Sequence, residues 1–258
     1  MNQLSIGIIA GNEEKMIGEC LKSCSWADQI ILVAANSTDQ TVAIAKDIIP
    51  KIKIYKTDDQ YNKNFAKWRN IVYKNTTTPW LLYIDADERI TPALKNEIIN
   101  TLKLPNALPY YVIPRANHFL GQRVKHGGTY PDYVKRLYQM PYFKGYTGYL
   151  HEEPLVKGGH GYLKSDLLHF THRDLSSMLF KSLIWTDSSA QVLFESGHPP
   201  IVWWRIIRMM LTKFWQRLIV QQMWRDGTVG WISSIFESFD TFMIYSRLWE
   251  IQQKNKIK

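Results

Sequence analysis

Residues 80–87 read Trp80-Leu-Leu-Tyr-Ile84 and then Asp85-Ala86-Asp87, an apolar run that ends in two carboxylates. A short apolar run of this kind predicts a strand buried on both faces, as in a parallel α/β sheet. Ligand sites in such sheets collect beyond the carboxyl ends of the strands, where these two aspartates stand. The sequence therefore predicts a functional site at the end of this strand.

The two carboxylates suit a hard metal ion. In extended backbone, Asp85 and Asp87 point to the same side while Ala86 turns away. Oxygen ligands of this kind suit Mg²⁺ or Mn²⁺, which fill their remaining positions with water and substrate phosphate. A solvated turn is the competing interpretation, because Asp-x-Asp is a common pattern. The expectation is a Mg²⁺ or Mn²⁺ site that also receives a diphosphate.

Strand and helix patterns alternate through residue 100. Apolar runs at residues 4–9 and 29–33 each end in polar residues, and the segments that follow, residues 13–24 and 39–49, carry apolar side chains at helical spacing. This alternation predicts an α/β fold whose central sheet is mostly parallel and flanked by helices. The crossovers should be right-handed, and the polar strand ends should share one edge of the sheet.

The chain resembles the inverting family 2 glycosyltransferases of the GT-A fold, and among them the bacterial lipopolysaccharide core glucosyltransferases. Each matching motif is weak alone, but the ordered set is specific and spans nearly the whole chain. The matching segments are Leu4 to Glu13, Trp26 to Ile30, Asn36 to Thr41, Asp85 to Glu88, Gly127 to Asp132, Arg136-Leu137 and His151-Glu152. The resemblance implies a Rossmann-like GT-A catalytic domain at residues 1–175. The composition changes after about residue 175, which predicts a C-terminal amphipathic helical extension at residues 176–258.

The resemblance also implies roles for single residues. It implies that Asp87, Asp85 and His169 hold the metal and that Glu152 and Asp87 are catalytic. The donor-binding residues would be Ala10, Asn12, Glu13, Asn36, Asp39, Lys67, Arg69, Asp85, Ala86 and Asp87. The acceptor-binding residues would be Tyr130, Asp132, Arg136 and His151.

The chemistry of sugar transfer explains why these residue types are needed. Displacing a nucleoside diphosphate from an anomeric carbon requires a metal or cation on the leaving group and a base for the acceptor hydroxyl. We assign the base to Glu152, although an exposed acidic pair before Pro154 is the competing interpretation. Lys67 and Arg69 open a predicted helix and can reach donor phosphate, unless they lie on a solvated face.

Two other residues have open interpretations. Arg136 is flanked by Val134 and Leu137 in a predicted strand, which favours a buried arginine paired with one of the acids. A single imidazole such as His169 is more often structural than metal-binding.

Two residues depart from the family pattern. An acid that contacts uridine usually stands where this chain has Ala34, and a larger residue usually stands where it has Gly11. A lost hydrogen bond costs about 1 to 3 kcal/mol, which weakens binding without abolishing it. We therefore expect reduced nucleotide affinity, and the alternative is a non-catalytic protein that binds glycolipid or membrane.

The composition agrees with one α/β domain and an appendage. The chain has 258 residues, 45% of them hydrophobic, which is ample for a core. Cys20 and Cys24 are the only cysteines, and their spacing of four predicts two core residues on one helix face and neither a disulfide framework nor a zinc site. No signal peptide is apparent, because Leu4 to Ala10 is short and lacks a basic leader, so a cytoplasmic location is expected.

The segment Ile201 to Trp224 differs from the rest, because it has four basic residues and no acid. On a helix, its apolar positions are Trp203, Trp204, Ile207, Met210, Leu211, Phe214 and Leu218, and its polar positions are Arg205, Arg208, Thr212, Gln216 and Arg217. Such charges exclude a spanning helix and indicate an amphipathic helix in the plane of a membrane surface. A helix packed on the catalytic domain is the alternative. A last amphipathic helix is predicted from Trp231 to Ile251.

The net charge of +9 favours an anionic partner. The basic and aromatic helix favours an anionic membrane surface over nucleic acid, for which no known module is present. Together with the resemblance, this predicts a metal-dependent transferase that moves a hexose, glucose from UDP-glucose, onto a lipid-linked saccharide such as the lipopolysaccharide inner core. It would be peripheral on the inner face of the cytoplasmic membrane. A soluble or protein acceptor is a further alternative.

Overall fold

The computed structural model describes residues 4–57, 64–148 and 152–256. The chain divides into two compact units. The first comprises Met1–Arg115 and Asp132–His169, and the second comprises Ala116–Pro131 and Phe170–Lys258. The division by function predicted from the sequence, at residues 1–175 and 176–258, stays a prediction.

The first unit alternates strands and helices, as the apolar patterns predict. Its strands are β1 (Leu4–Ala10), β2 (Gln29–Ala35), β3 (Lys53–Thr57), β4 (Trp80–Asp85), β5 (Glu88–Ile90), β6 (Tyr110–Phe119), β8 (Asp132–Gln139), β9 (Phe143–Thr147), β10 (Glu153–Val156), β11 (His160–Tyr162) and β12 (Leu167–His169). Its helices are α1 (Ile17–Cys24), α2 (Thr41–Ile48), α3 (Phe65–Asn75) and α4 (Pro92–Thr101). The end of β6 belongs to the second unit, where it pairs with β7 (Gln122–Arg123).

The central sheet has the strand order β3-β2-β1-β4-β8-β6-β12-β5. Its first four strands run parallel, whereas β8 is antiparallel to β4 and β6, and β12 is antiparallel to β5. The α/β fold with a mostly parallel central sheet and flanking helices is thus confirmed. Because β1 lies between β2 and β4, the carboxyl ends of these three strands meet at one edge.

Strand β4 is the centre of the core. Residues 80–84 are all buried, which confirms the prediction of a strand covered on both faces. Side chains alternate along a strand, so Leu82 and Ile84 join one hydrophobic cluster while Leu81 and Tyr83 join another. Cys20 and Cys24 lie buried in the first cluster as free thiols.

Gly11, which follows β1, allows two backbone segments to approach closely. A Cβ added at Gly11 would lie 2.7 Å from the carbonyl oxygen of Ala35, at the end of the neighbouring strand β2. Backbone atoms cannot move aside as a flexible side chain can, so this contact explains the small residue that the family pattern does not lead one to expect.

We expect Gly11→Ala to lower the free energy of unfolding by about 1 to 3 kcal/mol, because the new methyl group overpacks against backbone. Gly159→Ala is the control, since nothing lies within 4 Å of a Cβ added there. Urea unfolding of both variants measures the difference. Equal free energies of unfolding for the two variants would show that the ends of β1 and β2 can move apart to admit the methyl group without loss of stability.

The second unit is mainly helical. Its helices are α5 (Leu175–Glu195), α6 (Trp203–Trp215) and α7 (Gly227–Lys256), with a π-helical turn (Gln216–Val220) and a 3₁₀ turn (Met223–Asp226) between the last two. The predicted C-terminal helical extension is therefore present. The single helix expected from Ile201 to Trp224 is shorter, and the last helix begins at Gly227 rather than Trp231. In the described part of the chain, no helix has the length and apolar character needed to cross a membrane.

Asp226 ends the 3₁₀ turn and holds the loop that follows β7. Its carboxylate accepts hydrogen bonds from the amides of Lys125 and His126 and contacts Nδ1 of His126 at 2.8 Å. Burial raises the pKa of Asp226, but these hydrogen bonds hold it below its usual value. Asp226 thus connects the start of α7, at Gly227, to the loop at residues 125–126 of the same unit.

Candidate active site

The two aspartates after β4 do not share one side of the chain. Strand β4 ends at Asp85, and Ala86 and Asp87 form a turn before β5 begins at Glu88. The extended backbone predicted through Asp87 is therefore wrong, because the chain turns at these residues to enter β5. As a result Asp85 and Asp87 have different partners.

Asp85 is held by two buried arginines. Its Oδ1 accepts from Nη2 of Arg69 at 3.3 Å, and its Oδ2 accepts a short hydrogen bond from Nη2 of Arg136. Burial raises the pKa of Asp85, but the guanidinium groups of Arg136 and Arg69 outweigh it and hold the pKa well below its usual range. Asp85 is therefore a fixed anion, and both its oxygens are engaged by arginine.

Glu88 is the fully buried hub of this site, and sequence reasoning did not assign it a role. Its Oε2 accepts from the amide of Asp85 at 2.9 Å, and its Oε1 accepts from Nη2 of Arg136 at 2.8 Å. Arg115 approaches the same oxygen at 3.5 Å. The expectation that Arg136 is a buried arginine paired with an acid is confirmed. A signal for Glu88 existed, because it alternates with buried Ile90 in a strand.

Arg69 links Asp85 to Glu152. The side chain of Arg69 is 8% exposed, and its Nε lies 3.5 Å from Oε1 of Glu152. Its guanidinium group lies 5.4 Å from the ring centres of both Tyr83 and Tyr146, a cation–π arrangement with two adjacent rings. Among the described residues, Nη1 of Arg69 has no hydrogen-bond partner. The helix that carries Arg69 therefore points a buried cation at the strand end, as expected for α3.

The acids and arginines form one chain of alternating charge. Starting from Glu152, it runs through Arg69, Asp85, Arg136, Glu88 and Arg115 to Asp132, whose carboxylate lies 2.6 Å from Nη2 of Arg115. Arg115 and Asp132 are directly opposite in the β6 and β8 pairing. The sequence did not indicate a role for Arg115, because only the pairing of β6 with β8 brings it beside Asp132.

Asp87 faces His169 at the end of β12. Its Oδ2 lies 3.6 Å from Nε2 of His169, too far for a hydrogen bond. Metal–oxygen and metal–nitrogen bonds are each about 2.0 to 2.2 Å long, so one cation can reach both atoms. Residues 87 and 169 therefore fit a divalent metal, whereas Asp85 is engaged by arginine. In residues 4–57, 64–148 and 152–256, no cluster of three or more acidic, His or Cys side chains is arranged for a metal.

The side chains of Asn12 and Asp39 form hydrogen bonds that connect the loops after β1 and β2. Oδ1 of Asn12 accepts from the amide of Thr38 at 2.8 Å. Asp39 accepts from the amides of Thr41 and Glu14 at 3.0 Å each. Burial raises the pKa of Asp39, and hydrogen bonds from the hydroxyl of Thr41 and from these two amides bring it below its usual value. The structure therefore gives both side chains a local role in holding two loops together.

The other proposed donor residues lie around this edge. Ala10 ends β1 and pairs in register with Ala34, which is buried, and Asn36 follows β2 in a left-handed backbone conformation. The amide of Glu13 donates to Oγ1 of Thr41 at 2.8 Å.

Lys67 and Ala86 complete the predicted donor set. The amide of Lys67 is capped by Asn64 at the start of α3, and Ala86 is buried in the turn after Asp85. A cavity of about 460 Å³ adjoins α3 and is lined by Asn64, Ala66, Lys67, Asn70, Ile71, Lys74, Tyr146, Thr147 and Gly148. Among the predicted site residues it includes only Lys67, so the structure does not gather the donor set around this cavity.

The predicted acceptor residues are spread over both units. Asp132 and Arg136 lie in the first unit within the charge chain, whereas Tyr130 lies in the second, where Arg123 covers its ring at 5.0 Å. His151 lies outside the described residues.

Comparison with known proteins identifies the family of the chain. The family model described as glycosyl transferase family 2 matches residues 5–167. The lipopolysaccharide core biosynthesis glycosyltransferase LpsC of Rhizobium meliloti is 23% identical over 96% of this chain and 92% of its own length. An uncharacterized glycosyltransferase of Rickettsia felis is 24% identical over 99% and 93%.

Solved structures are similar at low identity. The crystal structure of S. aureus TarS 1–349 in complex with UDP aligns with a TM-score of 0.49 at 12% identity, covering 98% of this chain and 92% of that chain. The family match itself runs from Ser5 in β1 through β11, and it covers the motif at residues 85–88 and the candidate base. The chain therefore belongs to glycosyl transferase family 2.

Proposed function

We propose that this glycosyltransferase is an inverting, metal-dependent hexosyltransferase that uses UDP-glucose and a lipid-linked saccharide acceptor such as lipopolysaccharide inner core. The observation that carries the proposal is the strand end at Asp85, where buried arginines hold this aspartate, one of them contacts the candidate base Glu152, and Asp87 in the following turn faces His169. Such an arrangement supplies fixed charges at the place where a diphosphate leaves and a hydroxyl attacks.

Asp87 and His169 would hold Mn²⁺ or Mg²⁺. The bound cation supplies charge neutralisation on the departing diphosphate. We assign to Asp85 the role of holding Arg69. Nη1 of this buried guanidinium group has no hydrogen-bond partner among the described residues and can donate to a phosphate oxygen. The two aspartates of the motif would thus have different roles: Asp85 holds an arginine, and Asp87 binds the metal together with His169.

Glu152 is assigned as the base. In the transfer, the acceptor oxygen bonds to the anomeric carbon on the face opposite the leaving group, the carbon–oxygen bond to the diphosphate breaks with its electron pair, and the acceptor proton moves to Glu152. Arg69 lies 3.5 Å from Glu152 and so keeps this carboxylate beside the end of β4.

The acceptor assignment rests on resemblance and on the relative LpsC, whose name concerns lipopolysaccharide core biosynthesis. Tyr130, Asp132 and His151 stay the proposed acceptor contacts. Arg136 is reassigned to holding Asp85 and Glu88, because both acids already contact it. A lipid-linked acceptor would place the enzyme at the inner face of the cytoplasmic membrane.

Calorimetric titration with UDP, UDP-glucose, GDP and dTDP, each with and without Mn²⁺, tests the donor. We expect Mn²⁺-dependent binding of the uridine nucleotides. Binding of GDP or dTDP instead would overturn the donor assignment. Absence of binding to all of them would favour a non-catalytic glycolipid-binding protein, the second candidate, which Ala34 motivates because its side chain offers no acceptor to the uridine.

We expect Asp87→Asn to weaken Mn²⁺-dependent UDP binding by about a hundredfold or more, since even partners of metal ligands cost 10- to 100-fold when removed. Asp47→Asn is the matched control, because it removes the same charge from an exposed position on α2. The measurement is the UDP dissociation constant at saturating Mn²⁺. Equal constants for the two variants would exclude Asp87 as a metal ligand.

A further inference from the structure

Helix α6 of the second unit turns an apolar stripe to solvent. Trp203, Ile207, Leu211 and Trp215 follow one another at intervals of four residues, which places them along one side of the helix. Their exposed fractions are 75%, 49%, 63% and 60%. We call these four residues the α6 stripe. Exposed large apolar side chains in a contiguous row indicate a contact surface.

The side of α6 next to the α6 stripe is already covered by α7. Ser238 donates to the carbonyl oxygen of Met210 at 2.9 Å, and the rings of Phe214 and Trp231 lie 6.3 Å apart. Lys213 makes an ion pair with Glu237. Helix α6 therefore packs within its own unit by the face that carries these residues, and the α6 stripe is not needed for that packing.

The edge of the α6 stripe is cationic. The guanidinium groups of Arg205 and Arg208 lie 5.7 Å and 5.4 Å from the ring centre of Trp204, so two positive charges flank the row of apolar residues. Arg217 and Lys213 differ, because both pair with Glu237. Since residues 201–224 contain no acid, the charge of this face is complementary to an anionic surface.

The dimensions of α6 suit a membrane surface and exclude a span. Its 13 residues give a length of roughly 20 Å, against a hydrocarbon thickness of about 30 Å. Tryptophan prefers the boundary between headgroups and acyl chains, and one stands at each end of the α6 stripe. A short helix with an aromatic side and a basic edge lies in the plane of the interface.

We propose that the α6 stripe, with Arg205 and Arg208 at its edge, inserts into the surface of an anionic phospholipid bilayer. The purpose of this contact rests on the proposed function, because a lipid-linked acceptor would be met at that surface. The contact itself is independent of catalysis. Lipid is favoured over a second copy of the chain because the row combines apolar side chains with unbalanced positive charge.

Vesicle flotation of the full chain, without donor or acceptor, tests the proposal. The vesicles are made of phosphatidylcholine alone or of phosphatidylcholine with phosphatidylglycerol. We expect the wild type to float with the anionic vesicles, and replacing Trp203, Leu211 and Trp215 together by Ala to abolish flotation. Arg205→Gln with Arg208→Gln should lower partitioning by about fivefold for each charge.

Trp185→Ala is the matched control for Trp215→Ala. Both tryptophans are about equally exposed, at 63% and 60%, but Trp185 lies on α5. We expect about a tenfold loss of partitioning for Trp215→Ala and little change for Trp185→Ala. Thermal unfolding of each variant confirms that the fold is retained, since these side chains are mainly in solvent.

Three results would overturn the proposal. The first is failure of the wild type to float with anionic vesicles, and the second is equal flotation of the wild type and the triple variant. The third is self-association of the wild type in sedimentation experiments that the triple variant loses, since a second copy would then cover the stripe. None of these results affects nucleotide titration, so the proposed function and the membrane contact can fail separately.

Discussion

Glu152→Gln should lower turnover by about 10²- to 10⁴-fold while leaving donor binding within about twofold of the wild type. The amide has nearly the shape of the carboxylate, so Arg69 keeps a neighbour, but it cannot take the proton of the acceptor hydroxyl. Turnover with UDP-glucose and an inner-core acceptor, together with UDP affinity, measures both effects.

The neighbouring acid provides the control. Glu153 is 69% exposed at its side chain and pairs with Lys135 at 3.3 Å, whereas Glu152 is 23% exposed and contacts Arg69. We expect Glu153→Gln to keep turnover, because an exposed glutamate does not lie in the charge chain. If Glu153→Gln lost turnover while Glu152→Gln kept it, the catalytic base would be Glu153 and not Glu152.

Arg136→Gln should lower the free energy of unfolding by about 3 to 5 kcal/mol. The change removes the cation that Asp85 and fully buried Glu88 share and leaves them only the longer contacts to Arg69 and Arg115, and removing one partner of a buried ion pair is costly. Urea unfolding at neutral pH measures the loss. Lys22→Gln is the control, because its pair with Glu19 is exposed to solvent and should contribute little to stability.

The stability contributed by Asp85 should depend on pH. Its folded pKa lies below its usual value of 3.8, because Arg136 and Arg69 outweigh burial. The contribution is therefore fully present above that usual value and is lost as the pH falls through the folded pKa. Acid unfolding of the wild type should be steeper than that of Arg136→Gln. Equal acid profiles would show that Arg136 does not set the ionisation of Asp85.

The local pattern of apolar and polar residues sufficed to predict much of the fold. The run from Trp80 to Ile84 is apolar throughout, so a strand buried on both faces is its stable state. Helical spacing predicted α1 and α2, and Asn64 before Phe65 provides the cap that starts α3. These features depend on neighbours in sequence, which is why a single chain reveals them.

The sequence by itself determined the α/β class, the motif at residues 85–88 and the basic, aromatic character of α6, because each is a property of consecutive residues. Only the tertiary structure decided that Asp85 is held by Arg69 and Arg136 and that Glu88 is buried against Arg136 and Arg115. It also decided which side of α6 is covered. These facts depend on strand pairing and helix packing, which bring together residues up to 67 positions apart, from Arg69 to Arg136, and local patterns do not record such contacts.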